Sequence, residues 1–584
     1  EQLRAGGLAE AWTPSSAVIL LTCIVQWLKE SSESLGGSAA LAMDFGTSGG
    51  HMLLQEALSW LEATYLKAPH SGDGVYRAAE GVLEIVARMV DIGAELPPLP
   101  DCSHQPYSNQ HIIDRCRYNR SEKTPLKNRD AFQVLQSFFV VSHWDKARLK
   151  TIDLMKRIFA AHPLNFLILQ DLHTLSTLYT KADNLSSQLK SSVMGLLVFI
   201  VSTINCVPFK DLVSLSELLI SHPRPTVETL KMILQTATQL ITFDPKFKHV
   251  FRDTGLLGYI TNLIDEAVEE LMQLLQIKEE EMINDLVELL TSLVDSLVAL
   301  LNKVTPNIDQ FRTQKITQQN INWLLRIPSV PPSVLSLLLL LLQQDTSVAS
   351  DRLSTLVEVL LRPPVDDYLL QVGIMATVKD YLLSSDQAKE TFRESGSFLS
   401  IASILARLES AFISEEASSS SSSKNMQLLE ATFALLVASI AGNDKNRAFF
   451  TESITFQLVS TALNRSGVLK SDLAQRALNC MLDLATEFIH STESKTPLEI
   501  RNPQAIAAAV EILPSAKLDV QFNFLGVLGN MLASLSSKEA LCRVNILRSL
   551  LITYGGILPD SASPIQPVVL HLIEVLGSHR FGPE

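Results

Sequence analysis

Thr242 to Leu257 reads T-F-D-P-K-F-K-H-V-F-R-D-T-G-L-L, and Ser384 to Leu399 reads S-S-D-Q-A-K-E-T-F-R-E-S-G-S-F-L. Each follows a leucine-rich run, breaks at Asp244 or Asp386, passes a basic residue and reaches Phe251 or Phe392. Gly255 or Gly396 comes four residues later, before a second apolar run. Glycine lacks the Cβ that clashes in a left-handed turn, so the pattern predicts a short helix carrying the phenylalanine, a sharp reversal and a long helix. Two looser copies follow: Asn443, Asp444, Lys445, Phe450 and Ile454, then Ser537, Lys538, Cys542 and Ile546. Phe251 and Phe392 lie 141 residues apart, or three units of 47, and Phe450 and Cys542 lie 92 apart, or two units of 46. Armadillo and HEAT units repeat every 40 to 47 residues or so. The expected fold is therefore an all-α, extended armadillo/HEAT-like solenoid.

The rest of the chain agrees in period. Leu286, Leu289, Leu290, Leu293, Leu297 and Leu300 recur at three and four, as do Leu353, Leu356, Val357, Leu360 and Leu361. Leucine outweighs β-branched and aromatic residues, and alternating strand patterns are lacking. The interval from Phe392 to Phe450, 58 residues, exceeds one unit, and the surplus falls on a six-serine run, Ser418 to Ser423. The expected organisation is a helical segment over 1–96, a Pro/His-rich and basic connector over 97–130, and repeats over 131–411. A Ser-rich flexible loop over 412–424 and further repeats over 425–584 complete it.

Three pieces carry a family resemblance: F-R-D-T-G-L-L at Phe251 to Leu257, H-P-L-N-F-L-I-L at His162 to Leu169, and V-P-F-K-D-L-V-S-L-S-E-L-L at Val207 to Leu219. The stretch from about Ala131 to Leu263 resembles the N-terminal armadillo-like region of BEACH-domain proteins. The resemblance implies one segment of a very large scaffold working at membranes in vesicle traffic, vacuolar or lysosomal sorting, or autophagy. The PH-like, BEACH and WD40 parts that define that family are absent from this sequence.

Composition narrows the function classes. The 584 residues carry 48 Lys and Arg against 62 Asp and Glu, a formal net charge of −14, which opposes nucleic-acid binding by phosphate neutralisation. Hydrophobic residues make up 47% and mean hydropathy is +0.20, enough to fill a large core. Six scattered cysteines without a C-x-x-C favour a reducing, cytosolic setting. Uncharged stretches at 11–28 and 191–209 have the length of a membrane span, but their serines, threonines and prolines read as buried helices of a soluble protein. The chain starts at Glu1, so it is expected to be an excised fragment.

Chemistry-bearing motifs are sparse. Cys102, His104, His111 and Cys116 offer two thiols and two imidazoles within fifteen residues, but C-x-H…H-x4-C is not a zinc spacing, and an ordinary polar linker is the preferred reading. Neither a G-x-S-x-G elbow, a phosphate loop nor H-E-x-x-H occurs, so no enzyme and no cofactor are expected. Between Arg115 and Arg157 eleven basic residues face four acids. Of these, Arg115, Arg117, Arg120, Lys146, Arg148, Lys150, Lys156 and Arg157 are the candidate patch for an anionic partner. Asp265 to Asp295 holds ten acids against Lys278 alone. The leading functional reading is a non-catalytic platform binding other proteins on its concave helices, cytoplasmic and peripheral on endomembranes, with oligomeric state open. Alternatives are a membrane-binding module built on the basic stretch, or a helical-repeat regulator of a small GTPase.

Overall fold

The computed structural model describes residues 40, 44–67, 72–92, 107–118, 124–221, 224–277, 280–325, 332–344, 349–362, 368–413, 419–488, 499–560 and 562–580. These are helices and turns, with no strand among the described residues. They form two compact units, Glu1–Thr317 and Gln318–Glu584.

The first unit includes the helices α1 (Gly50–Lys67), α2 (Gly72–Met89), α3 (Arg129–Val141), α4 (Asp145–Ala161), α5 (Thr174–Tyr179), α6 (Ser187–Phe199), α7 (Phe209–Leu218), α8 (Val227–Phe243), α9 (Phe247–Asp253), α10 (Leu256–Ile277) and α11 (Glu280–Leu301). They make two layers. One runs α2, α4, α6, α8, α11, each against the next, and the other runs α3, α5, α7, α10. Stacking like with like lets every apolar stripe find a partner only in its neighbours, as expected of a repeat array. Along α6, Leu189, Val193, Leu196, Leu197 and Ile200 are buried between α4 and α8. This helix with its π turn, Ser187–Ile204, is long and apolar enough to cross a bilayer, and half of that window is buried in the fold. The other uncharged stretch, 11–28, lies outside the described residues.

The second unit repeats the scheme with α12 (Pro332–Gln344), α13 (Ala349–Leu361), α14 (Tyr368–Ser384), α15 (Asp386–Glu394), α16 (Ser397–Arg407), α17 (Ser419–Ile440), α18 (Asp444–Phe449), α19 (Phe456–Ser466), α20 (Ala474–Thr486), α21 (Pro503–Ile512), α22 (Leu518–Met531), α23 (Leu535–Arg543), α24 (Ile546–Tyr554) and α25 (Gln566–Arg580). One layer runs α12, α14, α17, α20, α22, α25 and the other α13, α16, α19, α21, α24, joined by the short helices α15, α18 and α23.

The turn that decides the fold is the same in both units. Phe251 and Phe392 are fully buried on α9 and α15, and Gly255 and Gly396 take φ of +82° and +72°. The looser copies put positive φ at the corresponding turn on other residues. After Phe450 a π turn, Phe450–Ile454, adds one residue, so positive φ falls on Thr455. In the last copy the buried ring position is held by Leu541, not by the half-buried Cys542, and Asn545 four residues on is left-handed. The alignment on Cys542 is thus one residue late, because a small thiol does not mark which side of a short helix is inside.

A buried asparagine also recurs, four residues before the apolar anchor. Asn165, Asn307 and Asn446 each donate from Nδ2 to the carbonyl seven residues back, of Ile158 (2.7 Å), Leu300 (2.8 Å) and Ser439 (2.9 Å). Asn307 and Asn446 donate again to Lys248 and Lys389 of the preceding repeat (3.3 and 2.9 Å). Those lysines in turn donate Nζ forward, to the Asn302 and Ala441 carbonyls at the ends of α11 and α17 (2.6 and 2.8 Å). This reciprocal clamp satisfies helix-end carbonyls that water would otherwise have to reach.

One expected loop is corrected. Ser419–Ser423 are not a loop but open the 22-residue helix α17, while 414–418 lie outside the described residues. Serine is tolerated in a first turn, and the apolar run beginning at Met426 anchors the helix. Within the expected connector, Gln110–Tyr118 is helical and docked. Asn109 exchanges two hydrogen bonds with the backbone of Val207 (3.1 and 2.9 Å). Tyr107 donates to Asp253 at 2.6 Å, and burial together with that carboxylate pushes its phenol up to about 12.

A buried charge in the first unit gives a pH prediction. Asp211 accepts from the Ser176 amide and hydroxyl (3.2 and 3.0 Å), and its burial raises its pKa above the ordinary value. A raised carboxylate binds its proton more tightly folded than unfolded, so stability falls as pH rises through the window just above the normal Asp range. Asp211→Asn keeps the acceptor oxygen. Its urea midpoint should exceed wild type at neutral pH, with the gain shrinking toward about pH 4; an equal difference at both pH values would show that the charge is not the cause.

Candidate protein-interaction groove

Four parallel helices of one layer in the second unit, α14, α17, α20 and α22, leave an open groove of about 670 Å³. The period of three and four sends one stripe of each helix into the core and leaves the opposite stripe to line the groove. Phe433, Val437, Val527 and Met531 supply apolar walls, while Asn479 and Arg476 stand exposed on α20. Arg476 grips Glu430 on α17 through two bonds of 2.8 and 2.7 Å, so the most exposed cation here is already paired. Gln475 donates to Asn479 Oδ1 at 3.1 Å, which leaves the Asn479 amide nitrogen directed away from its own helix neighbour. Cys480 lines the same groove. Burial, with Glu430 and Asp483 beside it, pushes its thiol up to about 12 and holds it protonated, which is the opposite of an activated nucleophile.

Between the lining residues Thr486 and Phe488 stands a buried ion pair. Glu487, directly after α20, has a fully buried side chain and a left-handed backbone at φ +55°. Its carboxylate takes Arg447 Nε and Nη2 (2.6 and 3.0 Å), the Gly442 amide (3.1 Å) and Asn502 Nδ2 (3.2 Å), with Arg501 at 3.6 Å. The Arg447 guanidinium is held charged, its pKa raised chiefly by that bond.

The site residues expected from sequence fall elsewhere. Cys102 and His104 lie outside the described residues; His111 Nε2 is 2.9 Å from the Asn205 carbonyl, and burial raises the Cys116 thiol. Among the described residues no three His, Cys, Asp or Glu cluster as metal ligands. The basic stretch does not gather into one free patch. Arg148 is buried and donates to the Phe139 carbonyl (3.1 Å), and Lys150 meets Glu80 and Glu84 (2.8 and 3.0 Å). Arg157 pairs with Glu84 (2.6 Å), and Lys146 sits over the Tyr76 ring (4.0 Å). Lys156 is half-buried and Arg115 exposed; the Arg117 side chain and Arg120 lie outside what is described. Two of these cations, Lys150 and Arg157, are engaged by acids of α2, whose proximity no local reading reveals. The acidic run is likewise partly paired, Glu270 with Arg224 (3.1 Å) and Glu288 with Lys231.

Comparison with known proteins bears on the groove directly. Residues 344–488, which include α14, α17 and α20, match a family model described as armadillo-like repeats. Over 533 residues the chain is 24% identical to the Arabidopsis thaliana protein SPIRRIG, covering 78% of this chain. Over 555 residues it is 24% identical to the A. thaliana BEACH domain-containing protein A2, covering 82%. A 144-residue stretch, 24% of the chain, is 27% identical to human WD repeat- and FYVE domain-containing protein 4. Its homologues are BEACH-domain proteins. The chain spans only 15% of the length of the two Arabidopsis proteins and 4% of the human one. Among solved structures, SYS-1 matches with a TM-score of 0.36 and 10% identity, covering 89% of this chain and 99% of that one. Uso1-2 matches at 0.38 and 12%, covering 98% and 87%. The chain is an all-α armadillo-like array, and the repeats matched by the family model include the groove helices α14, α17 and α20.

Proposed function

We propose that this chain is a non-catalytic protein-interaction scaffold, one segment of a BEACH-type protein, which receives an extended segment of a partner protein in the groove of its second unit. The observation that carries the reading is the groove itself: apolar walls with an exposed amide at Asn479, and charged or thiol groups that are paired or protonated rather than poised for chemistry. Such a surface offers area and hydrogen bonds, the means by which pockets hold ligands without transforming them. The similarity to BEACH-domain proteins supports reading the scaffold as working in vesicle traffic, vacuolar or lysosomal sorting, or autophagy, with the cytosolic face of endomembranes as its proposed setting.

Ala434 is exposed on α17 and lines the groove, so Ala434→Trp fills the groove without removing a packed side chain. Peptides selected on the intact chain from a displayed random library should bind the variant at least about tenfold more weakly, a loss of roughly 1.4 kcal/mol, at unchanged melting temperature. A library that yields no binder, or binders indifferent to the tryptophan, would remove the groove from consideration.

A further inference from the structure

Two charge clamps tie α20 to the repeat before it at the groove, and they differ in kind. Arg476–Glu430 joins the first turn of α20 to the middle of α17 and is open to solvent, with side chains 45% and 37% exposed. Arg447–Glu487 joins α18, the short helix after α17, to the residue just past the end of α20, and the Glu487 side chain is 0% exposed. We propose that Glu487 is a positioning residue for the groove: its buried carboxylate fixes the separation of the α17 and α20 walls and turns Phe488 into the lining. The proposal rests on the interaction reading above for its consequence, though not for its geometry.

Three observations converge on it. First, the backbone of Glu487 is left-handed, a conformation that glycine adopts freely and that the chain gives to glycine at Gly255, Gly396, Gly442 and Gly467. A glutamate here accepts strain that a glycine would avoid, so its side chain supplies something a bare backbone cannot. Second, its partners come from three separate elements. The Gly442 amide lies just past the end of α17, Arg447 lies on α18, and Arg501 and Asn502 lie at the entry to α21. Asn502 also donates to the Leu484 carbonyl (2.8 Å), and the Arg501 and Asn502 amides both reach the Ala485 carbonyl (2.9 and 2.8 Å). The last turn of α20 is therefore tied both backward and forward through one carboxylate. Third, the residues on each side of Glu487 line the groove, as does Asp483, whose carbonyl accepts the Phe488 amide at 3.1 Å. A change in the Glu487 turn must redirect Thr486 and Phe488 together.

The test uses the whole chain with genetically encoded spin labels at Ala434 and Val527, which line opposite walls. Glu487→Gly removes the clamp while relieving the backbone; Glu487→Gln keeps the acceptor and loses the charge; Leu550→Ala, a fully buried site on α24 outside the groove, is matched to them for loss of melting temperature. The label distance should broaden in Glu487→Gly, less in Glu487→Gln and not in Leu550→Ala. Library-selected peptides should bind Glu487→Gly at least tenfold more weakly and Leu550→Ala normally. A Glu487→Gly distance distribution that superimposes on wild type overturns the proposal whether or not any peptide binds. If wild type selects no peptide while the distance broadens, the positioning role stands and the interaction reading fails.

Discussion

Phe392→Ala is expected to destabilise the second unit by about 3–5 kcal/mol, the usual cost of emptying a fully buried phenylalanine site. The ring is also the first member of a relay. Phe392 stacks edge-on against Phe398 at 5.2 Å, Phe398 faces Phe449 and Phe450 of the next repeat at 5.6 and 6.1 Å, and Phe450 meets Phe456 at 5.0 Å. The cavity therefore opens beside an inter-repeat contact. In an array whose stability resides in nearest-neighbour interfaces, damage spreads to the adjoining repeat and fades with distance. Hydrogen exchange should show protection lost around 380–410, reduced around 444–460, and retained around 240–265 in the other unit. Uniform loss over all three regions would mean a single cooperative globule and would falsify the repeat architecture.

What could be read from sequence follows from what is local. The Phe251/Gly255 and Phe392/Gly396 pairs were legible because a large ring and a glycine at fixed spacing each have few structural alternatives. Thr455 and Asn545 carry positive φ at the equivalent turn, but threonine has no special claim to it and the π turn before it shifts the spacing by one, so that copy looks weaker in the sequence. The asparagine clamp was present in the sequence at Asn165, Asn307 and Asn446, four residues ahead of Leu169, Phe311 and Phe450. It was missed because Phe247 and Ala388 occupy that place in the two clearest repeats. Searching outward from the weaker copies would have found it. The groove was not legible at all. Arg476, Asn479 and Cys480 are unremarkable on α20, and they acquire a role only when α17 and α22 are set beside them. The basic stretch shows the converse: a run of charge is visible locally, but Glu80 and Glu84, which engage Lys150 and Arg157, lie some 70 residues away in sequence.

The two groove clamps separate what burial does to an ion pair. Arg476→Ala should cost about 0–1 kcal/mol, since both partners are solvated and Glu430 is simply returned to water. Arg447→Ala should cost about 3–5 kcal/mol, because it strips both guanidinium bonds from a Glu487 carboxylate with no exposed surface and leaves it the Gly442 and Asn502 amides and Arg501 at 3.6 Å. Raising salt from 0.1 to 1 M should erase the smaller effect and leave most of the larger one, as screening acts on solvent-exposed pairs. Urea unfolding of the two variants at both salt concentrations makes the comparison, and Arg447→Ala/Glu487→Gly completes it. If the penalty of Arg447→Ala is chiefly the stranded carboxylate, removing that carboxylate as well should recover stability, because the glycine also takes the left-handed backbone without strain. A double variant as unstable as Arg447→Ala alone would instead assign the loss to Arg447's packing and to its contact with Asp444.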